Sequence, residues 1–282
     1  MEYTLNIRGQ LLDLSTPQVM GILNATPDSF YAGSRQQTEH DIANRANEIA
    51  EQGGTIIDVG GFSTRPGAHD VSEKEEMERL RMALTIVRRE QPQMPVSVDT
   101  FRPDVARMCV EELGADIVND VSEGGITGIV NTPLAGGEEL MPAMFRMVAR
   151  LRVPYILMSV QANAEQTLLC FAKKVQQLRD LGQKDIILDP GFSFGKTVEE
   201  NFLLLSQLER LQVMELPLLV GFSRKTMIYK TLGITPEEAL NGTTVLNTVA
   251  LMKGASILRV HDVREAVECV RLVRSLEAPS IR

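Results

Sequence analysis

Residues 96–120 read VSVDTFRPDVARMCVEELGADIVND, and this stretch decides the fold. It opens on a short apolar run, 96–98, that ends in Asp99-Thr100. Pro103 then stands at or near the first position of a helix predicted over 103–113, where its missing N–H leaves no bond unmade. Gly114 marks the end of that helix. A second apolar run, 117–118, ends in Asn119-Asp120. Short runs apolar on both faces, separated by one amphipathic helix, suit adjacent parallel strands buried on both sides.

The unit repeats in both directions. Further apolar runs occupy 19–23, 55–59, 155–158, 186–188, 218–220 and 257–260, which makes eight. Helices are predicted over 39–52, 72–89, 164–181, 199–211, 236–253 and 263–276. The first carries Ile42, Ala46, Ile49 and Ala50 at the spacing of one helix face. The second opens on Ser72 with Glu75 three residues later, a capping-box pattern. Eight strands alternating with helices define an α/β chain, and eight is the number that closes a (β/α)8 TIM barrel. The length of 282 residues fits one such barrel, so 1–282 is expected to be a single domain. An open doubly wound sheet is the competing arrangement, but the first strand-to-helix turn lacks its G-x-G-x-x-G fingerprint. Alternating residues around Arg8-Gly9-Gln10 predict an N-terminal β-hairpin within 1–15. Residues 122–142, rich in glycine, read as an atypical loop insertion on the fourth βα connection.

Composition narrows the partners. A formal net charge of −8 argues against nonspecific nucleic-acid binding, which needs a basic face. Cys109, Cys170 and Cys269 are far apart and odd in number, so neither a disulfide scaffold nor a structural zinc site is expected. The N-terminus shows no signal-peptide pattern, and no apolar stretch approaches the ~20 residues of a membrane span. These readings lead to the expectation of a cytoplasmic protein.

The ends of the apolar runs carry the chemistry. They are Asn24; Asp58 followed by Gly60-Gly61; Asp99; Asn119-Asp120; Met158-Ser159; Asp189; Ser223-Arg224-Lys225; and Arg259 with His261-Asp262. A barrel gathers all such ends on one face, where active sites of this fold are built. For a single Asp or Asn a turn or helix cap is the simpler role, and Asp58 and Asp120 are open to that reading. Together, Asp99, Asn119 and Asp189 supply in-plane acceptors for a planar heterocycle with ring N–H and amino groups, and Lys225 a donor for a ring nitrogen or carbonyl. Ser223, Arg224, Lys225, Arg259 and His261 fall in the corner where many barrels bind phosphate, with Ser223 expected to begin the next helix. Arg65, in a Gly- and Pro-punctuated loop, would close over the anion. Asn24 is an oxygen ligand suited to Mg2+, which keeps most of its waters and binds phosphate oxygens.

The strings 21–30 (GILNATPDSF), 63–67 (STRPG), 97–100 (SVDT), 119–120 (ND), 188–192 (LDPGF), 223–225 (SRK) and 259–262 (RVHD) resemble those of the dihydropteroate synthases of folate biosynthesis, in the same order, from about residue 10 to 276. The resemblance implies condensation of 6-hydroxymethyl-7,8-dihydropterin pyrophosphate with 4-aminobenzoate, giving 7,8-dihydropteroate and pyrophosphate. It implies a pterin pocket of Asp99, Asn119, Met158, Asp189 and Lys225. Pyrophosphate anchors would be Arg65, Arg259 and His261, with Mg2+ at Asn24. The 4-aminobenzoate site, where sulfonamides compete, would be Thr64, Pro66, Phe194, Ser223 and Lys225. Asp99, Lys225, Arg259 and His261 are the expected catalytic set. Two substrate-covering loops, at about 25–37 and 62–74, and a homodimer through late helices are also implied. Departures from the family's pattern are Ser159 and Ala162 in place of His and Gly after the fifth strand, Phe62 in place of Glu, and Ala32 in place of Asp. Two other readings compete: a catalytically weak pterin-binding paralogue, motivated by Ser159 and the odd loop, and a methyltetrahydrofolate-binding methyltransferase, which would not need the Arg-x-His anion corner.

Overall fold

A computed structural model describes residues 3–25, 35–62, 71–124 and 141–277. Strands β1 (Thr4–Ile7) and β2 (Gln10–Asp13) form the N-terminal antiparallel hairpin. Its turn needs left-handed backbone at Arg8 and Gly9, with φ of 51° and 82°.

Eight further strands build one parallel sheet. They are β3 (Gln18–Asn24), β4 (Ile56–Gly60), β5 (Val96–Asp99), β6 (Ile117–Asp120), β7 (Tyr155–Met158), β8 (Ile186–Asp189), β9 (Leu219–Val220) and β10 (Ile257–Val260). The hydrogen-bonded order is β8-β7-β6-β5-β4-β3-β10-β9. A parallel bridge between Leu188 and Leu218 joins the two ends and closes the sheet into the expected (β/α)8 barrel. Closure leaves the eight-stranded sheet without a free edge strand among the described residues.

The helices are α1 (Arg35–Glu51), α2 (Glu73–Glu90), α3 (Pro103–Glu111), α4 (Ala143–Leu151), α5 (Ala164–Asp180), α6 (Val198–Ser206), α7 (Thr226–Leu232), α8 (Leu240–Met252) and α9 (Val263–Glu277). Four details differ from the sequence expectation. The stretch 199–211 is α6 followed by a 3-10 turn, Leu208–Met214. The stretch 236–253 is helical only from Leu240. Two helices, α4 and α7, were not expected. At Ser72 half of the capping box forms: its Oγ accepts from Glu75 N at 3.2 Å, while the Glu75 carboxylate pairs instead with Arg79. Of the loop at 122–142, residues 125–140 lie outside the described residues.

Strand parity explains the layers, because successive side chains point to opposite faces. Val19, Leu23, Ile57, Val59, Val98, Val118, Leu157, Leu188, Val220 and Leu258 face outward into the core under the helices. Met20, Ile56, Ile117, Ile156, Ile187, Leu219 and Ile257 face inward, where Leu5 and Ile7 of the hairpin and Leu14 meet them. The hairpin is therefore the apolar plug of the barrel floor. Among the described residues, no helix is long and apolar enough to cross a membrane.

Candidate functional site

Two residues after the apolar floor, the same parity puts polar groups into the lumen. Ile56 is followed by Asp58, Ile117 by Asn119, Ile187 by Asp189 and Ile257 by Arg259. Arg259 links three strands. Its Nε donates to Asp58 Oδ2 at 2.7 Å and its Nη2 to Asp99 Oδ2 at 2.7 Å. Asn119 Nδ2 donates to the same Asp58 oxygen at 3.2 Å. Asp58 thus belongs to the lumen network, whereas Asp120 keeps the bland role. Facing outward, Asp120 accepts from Ser122 N, Ser122 Oγ, Gly124 N and Tyr155 Oη at 2.5–2.9 Å and pins the turn that follows β6.

Burial sets the electrostatics. It pushes the Asp99 carboxyl up to about 7 against the opposing charge of Arg259, since desolvation disfavours the ionised form. Asp189 is raised for the same reason, with Lys225 opposing. The Lys225 ammonium is lowered to about 8 by burial, with Asp189 opposing. Burial works to lower Arg259 too, but Asp58 and Asp99 outweigh it and the guanidinium is held more firmly charged than usual. Lys225 Nζ donates to the Phe192 carbonyl at 2.7 Å and lies 4.8 Å from the Phe194 ring centroid, close enough for a cation–π contact. Gly221 keeps these cations close together: a Cβ there would lie 3.7 Å from Arg259 Cβ and 3.9 Å from Lys225 Nζ.

The remaining expected residues divide. Met158 is buried in the lumen with Phe101 and Val121, and Phe62, Val160 and Phe194 pack against them. Asn24 ends β3 beside Gly60 with its side chain exposed. Ser223 does not begin a helix: α7 starts at Thr226, and Ser223 Oγ instead accepts from His261 N at 3.1 Å and lies 3.0 Å from Nδ1 of the same residue. Arg224 leaves the anion corner, engaging Asp262 through Nε and Nη2 at 3.0 and 2.8 Å and the Glu237 carbonyl at 2.6 Å. Thr64, Arg65 and Pro66 lie outside the described residues, as do most of the two expected covering loops.

Ser159 is fully buried. Its Oγ accepts from Gln161 N at 3.3 Å, and Ser159 is close enough to Cys170 on α5 to offset part of the rise that burial imposes on that thiol, so the departure at this position faces α5 rather than the lumen. Two features escaped the sequence reading. Lys196 Nζ, lowered to about 8 mainly by burial, donates to the Gly191, Ser159 and Phe194 carbonyls at 2.9–3.3 Å and ties the β7 and β8 loops together. Glu123 accepts from Lys174 and from Val160 N at 2.9 and 2.7 Å beneath the same rim. For Lys196 the signal was the GFSFGK string itself; for Glu123 no local pattern exists.

The fold and this lumen define a barrel enzyme whose mouth combines buried in-plane acceptors with cations, a site for a polar heterocycle carrying an anion. The profile of the pterin binding enzyme family matches residues 20–261. The dihydropteroate synthase of Escherichia coli K12 is 37% identical over 283 residues, covering 95% of this chain and 94% of the relative. The Xanthomonas albilineans dihydropteroate synthase solved with 4-aminobenzoic acid superposes at a TM-score of 0.85 with 33% identity, covering 99% of this chain and 100% of that one. The same enzyme in complex with 7,8-dihydropteroate gives 0.82 and 29%, covering 98% and 99%. The chain belongs to the dihydropteroate synthase family of pterin-binding enzymes.

Proposed function

We propose that this chain joins 6-hydroxymethyl-7,8-dihydropterin pyrophosphate to 4-aminobenzoate, forming 7,8-dihydropteroate and releasing pyrophosphate. The observation that carries the reading is the lumen layer itself, with Asp99, Asn119 and Asp189 as acceptors beside Lys225 and Arg259. Asp189, Asn119 and Asp99 would read the ring edge, with Met158 against its face, and Lys225 would donate to a ring nitrogen or carbonyl. Arg259 and His261, joined by Arg65, would receive the pyrophosphate. Thr64, Pro66, Phe194 and Ser223 would border the aminobenzoate, with Lys225 shared between both substrates.

In this mechanism the bond from the pterin methylene to the pyrophosphate oxygen breaks, and its electron pair leaves with pyrophosphate. The resulting methylene cation is stabilised by the Asp99 carboxylate, and the cations stabilise the departing anion. The aniline nitrogen, already nucleophilic, attacks the methylene and then loses a proton to solvent or to released pyrophosphate. No covalent enzyme intermediate is required.

Mg2+ fits as a substrate-borne ion. Among the described residues no cluster of three or more His, Cys, Asp or Glu could hold a metal, and the exposed Asn24 amide at the mouth offers one neutral oxygen, which suits an ion bound mainly by phosphate oxygens and water. When bound it would neutralise charge on the leaving group. The late helices suit a homodimer: α8 and α9 border a groove of about 590 Å3 lined by Leu240, Leu272, Val273 and Leu276, and Leu272 and Leu276 are 70% and 76% exposed. Burial of such leucines against a second copy is the expected use of the patch. A cytoplasmic location accords with the free thiols at Cys109, Cys170 and Cys269.

The test is incorporation of radiolabelled 4-aminobenzoate by the purified protein with Mg2+ and the pterin pyrophosphate, with a sulfonamide expected to compete. Tight pterin binding without product would overturn the reading in favour of a weak paralogue. Light scattering should give a dimer mass that Leu272→Glu converts to monomer.

A further inference from the structure

We infer that Asp58 is a positioning residue that orients the pterin-reading amide of Asn119 and the guanidinium of Arg259 through one shared oxygen. The inference rests on the function proposed above and adds a residue to it. Asp58 is wholly buried on β4, and its Oδ2 accepts from Arg259 Nε at 2.7 Å and from Asn119 Nδ2 at 3.2 Å. A carboxylate can only accept, so the amide nitrogen of Asn119 must face it. That fixes the flip of Asn119. Its Oδ1, buried in a side chain 1% exposed, has no hydrogen-bond partner among the described residues, and a buried acceptor left this way is costly unless a ligand satisfies it. Asn119 therefore presents a carbonyl to the ring edge and accepts from a ring N–H or amino group.

The same oxygen aims Arg259. With Nε held by Asp58, rotation about the last side-chain bonds is restricted, and the Nη2 edge is directed at Asp99. The ring-reading and anion-binding halves of the site are thereby coupled through the Oδ2 of one carboxylate, whose Oδ1 is likewise buried with no hydrogen-bond partner among the described residues. An amide at position 58 can present either end to its neighbours, so Asp58→Asn keeps the volume but no longer forces the orientation of Asn119 and removes the charge that holds Arg259.

The test compares wild type with Asp58→Asn in steady-state kinetics. Wild-type turnover is measured first, and its absence would defeat the proposed function rather than this inference. Given turnover, folded Asp58→Asn should show a KM for the pterin pyrophosphate raised on the order of tenfold to a hundredfold and a lowered kcat, with the KM for 4-aminobenzoate within twofold. A loss of stability alone would lower the active fraction and leave both KM values in place, and that result overturns the inference. Calorimetry with free pterin adds a double-mutant cycle with Asn119→Ala, expected to be strongly non-additive; additivity overturns it. If Asp58→Asn does not fold, the wild type still decides. In 15N-asparagine-labelled protein, one Asn119 Nδ2 proton, assigned by its loss in Asn119→Ala, should be shifted downfield, protected from exchange and unmoved by pterin. Two equivalent, rapidly exchanging Nδ2 protons would refute the orientation.

Discussion

Replacing Arg259 with Met removes the guanidinium but keeps much of the side-chain volume, and it sets two buried carboxylates against each other. The Arg259 side chain is 18% exposed, Asp58 0% and Asp99 19%. Removing one member of a buried charge network costs about 3–5 kcal/mol, against a total stability of about 5–15 kcal/mol, so the variant should fold but be weakened. The cost depends on pH with a definite sign. In the wild type the Asp99 carboxyl already stands at about 7 because of burial, with Arg259 opposing the rise; unfolded, an Asp titrates near ~3.9. Without Arg259 the folded value rises further. Between these values the folded state holds a proton that the unfolded state has released, so stability falls as pH rises through the window. Every further tenfold loss of acidity in the folded state adds about 1.4 kcal/mol to the deficit once the pH exceeds the folded value. Urea denaturation of both proteins at pH 5 and pH 8 reads this directly: the deficit of Arg259→Met should be larger at pH 8 than at pH 5 by up to about 1.4 kcal/mol. An equal deficit at both would refute the account, since it would mean that Asp58 and Asp99 are not the groups left unpaired. In binding, the same variant should lose more affinity for the pterin pyrophosphate than for free pterin.

The pH dependence of kcat/KM for the pterin substrate should be bell-shaped, because Asp99, raised to about 7, must be ionised and Lys225, lowered to about 8, must be protonated; Lys225→Arg should abolish the alkaline limb, and an unmoved limb would count against Lys225. Gly191→Ala should destabilise by about 1–3 kcal/mol, because the residue has φ of 67° and a Cβ would sit 2.1 Å from the Ser159 carbonyl oxygen; an unchanged melting temperature would contradict it. Ser159→His, restoring the residue usual in the family, should cost about 1–3 kcal/mol by overpacking and leave the pterin KM unchanged. A sharpened pterin KM would mean that position 159 reaches the lumen after all.

Some of the fold was legible because its signals are local and redundant. Most barrel strands are short apolar runs closed by a polar residue, and each run lies within a residue or two of the bounds that the sequence predicts. The helices that were missed lack such punctuation. Helix α4 has no side-chain N-cap and stops at Arg152, which adopts φ of 57° without the glycine that usually signals such an end. Its buried face of Met144, Phe145 and Val148 was masked by the glycine-rich stretch before it. Helix α7 is only seven residues long and follows Lys225 with no side-chain cap, so Gly233 beyond its end was the one available signal.

The candidate site was legible as a set of residues but not as a set of contacts, and the reason is parity. A run that is apolar on both faces hides which of its residues point inward. The floor supplies the missing phase: Ile56, Ile117, Ile187 and Ile257 share one apolar cluster in the lumen, so the residue two positions on must also face the lumen. That rule alone separates Asp58, Asn119, Asp189 and Arg259 from Asp120, which the sequence leaves undecided beside Asp58. It also turns Ser159 outward, one step past the lumen-facing Met158. Charge then does what side-chain identity could not foretell. Four ionisable or amide groups in one layer, drawn from strands 201 residues apart between Asp58 and Arg259, are costly to leave unpaired in a buried space. Arg259, the cation of that layer bonded to both Asp58 and Asp99, becomes the hub. A residue expected only to meet an anionic substrate is thus also what makes two neighbouring aspartates tolerable before any substrate arrives.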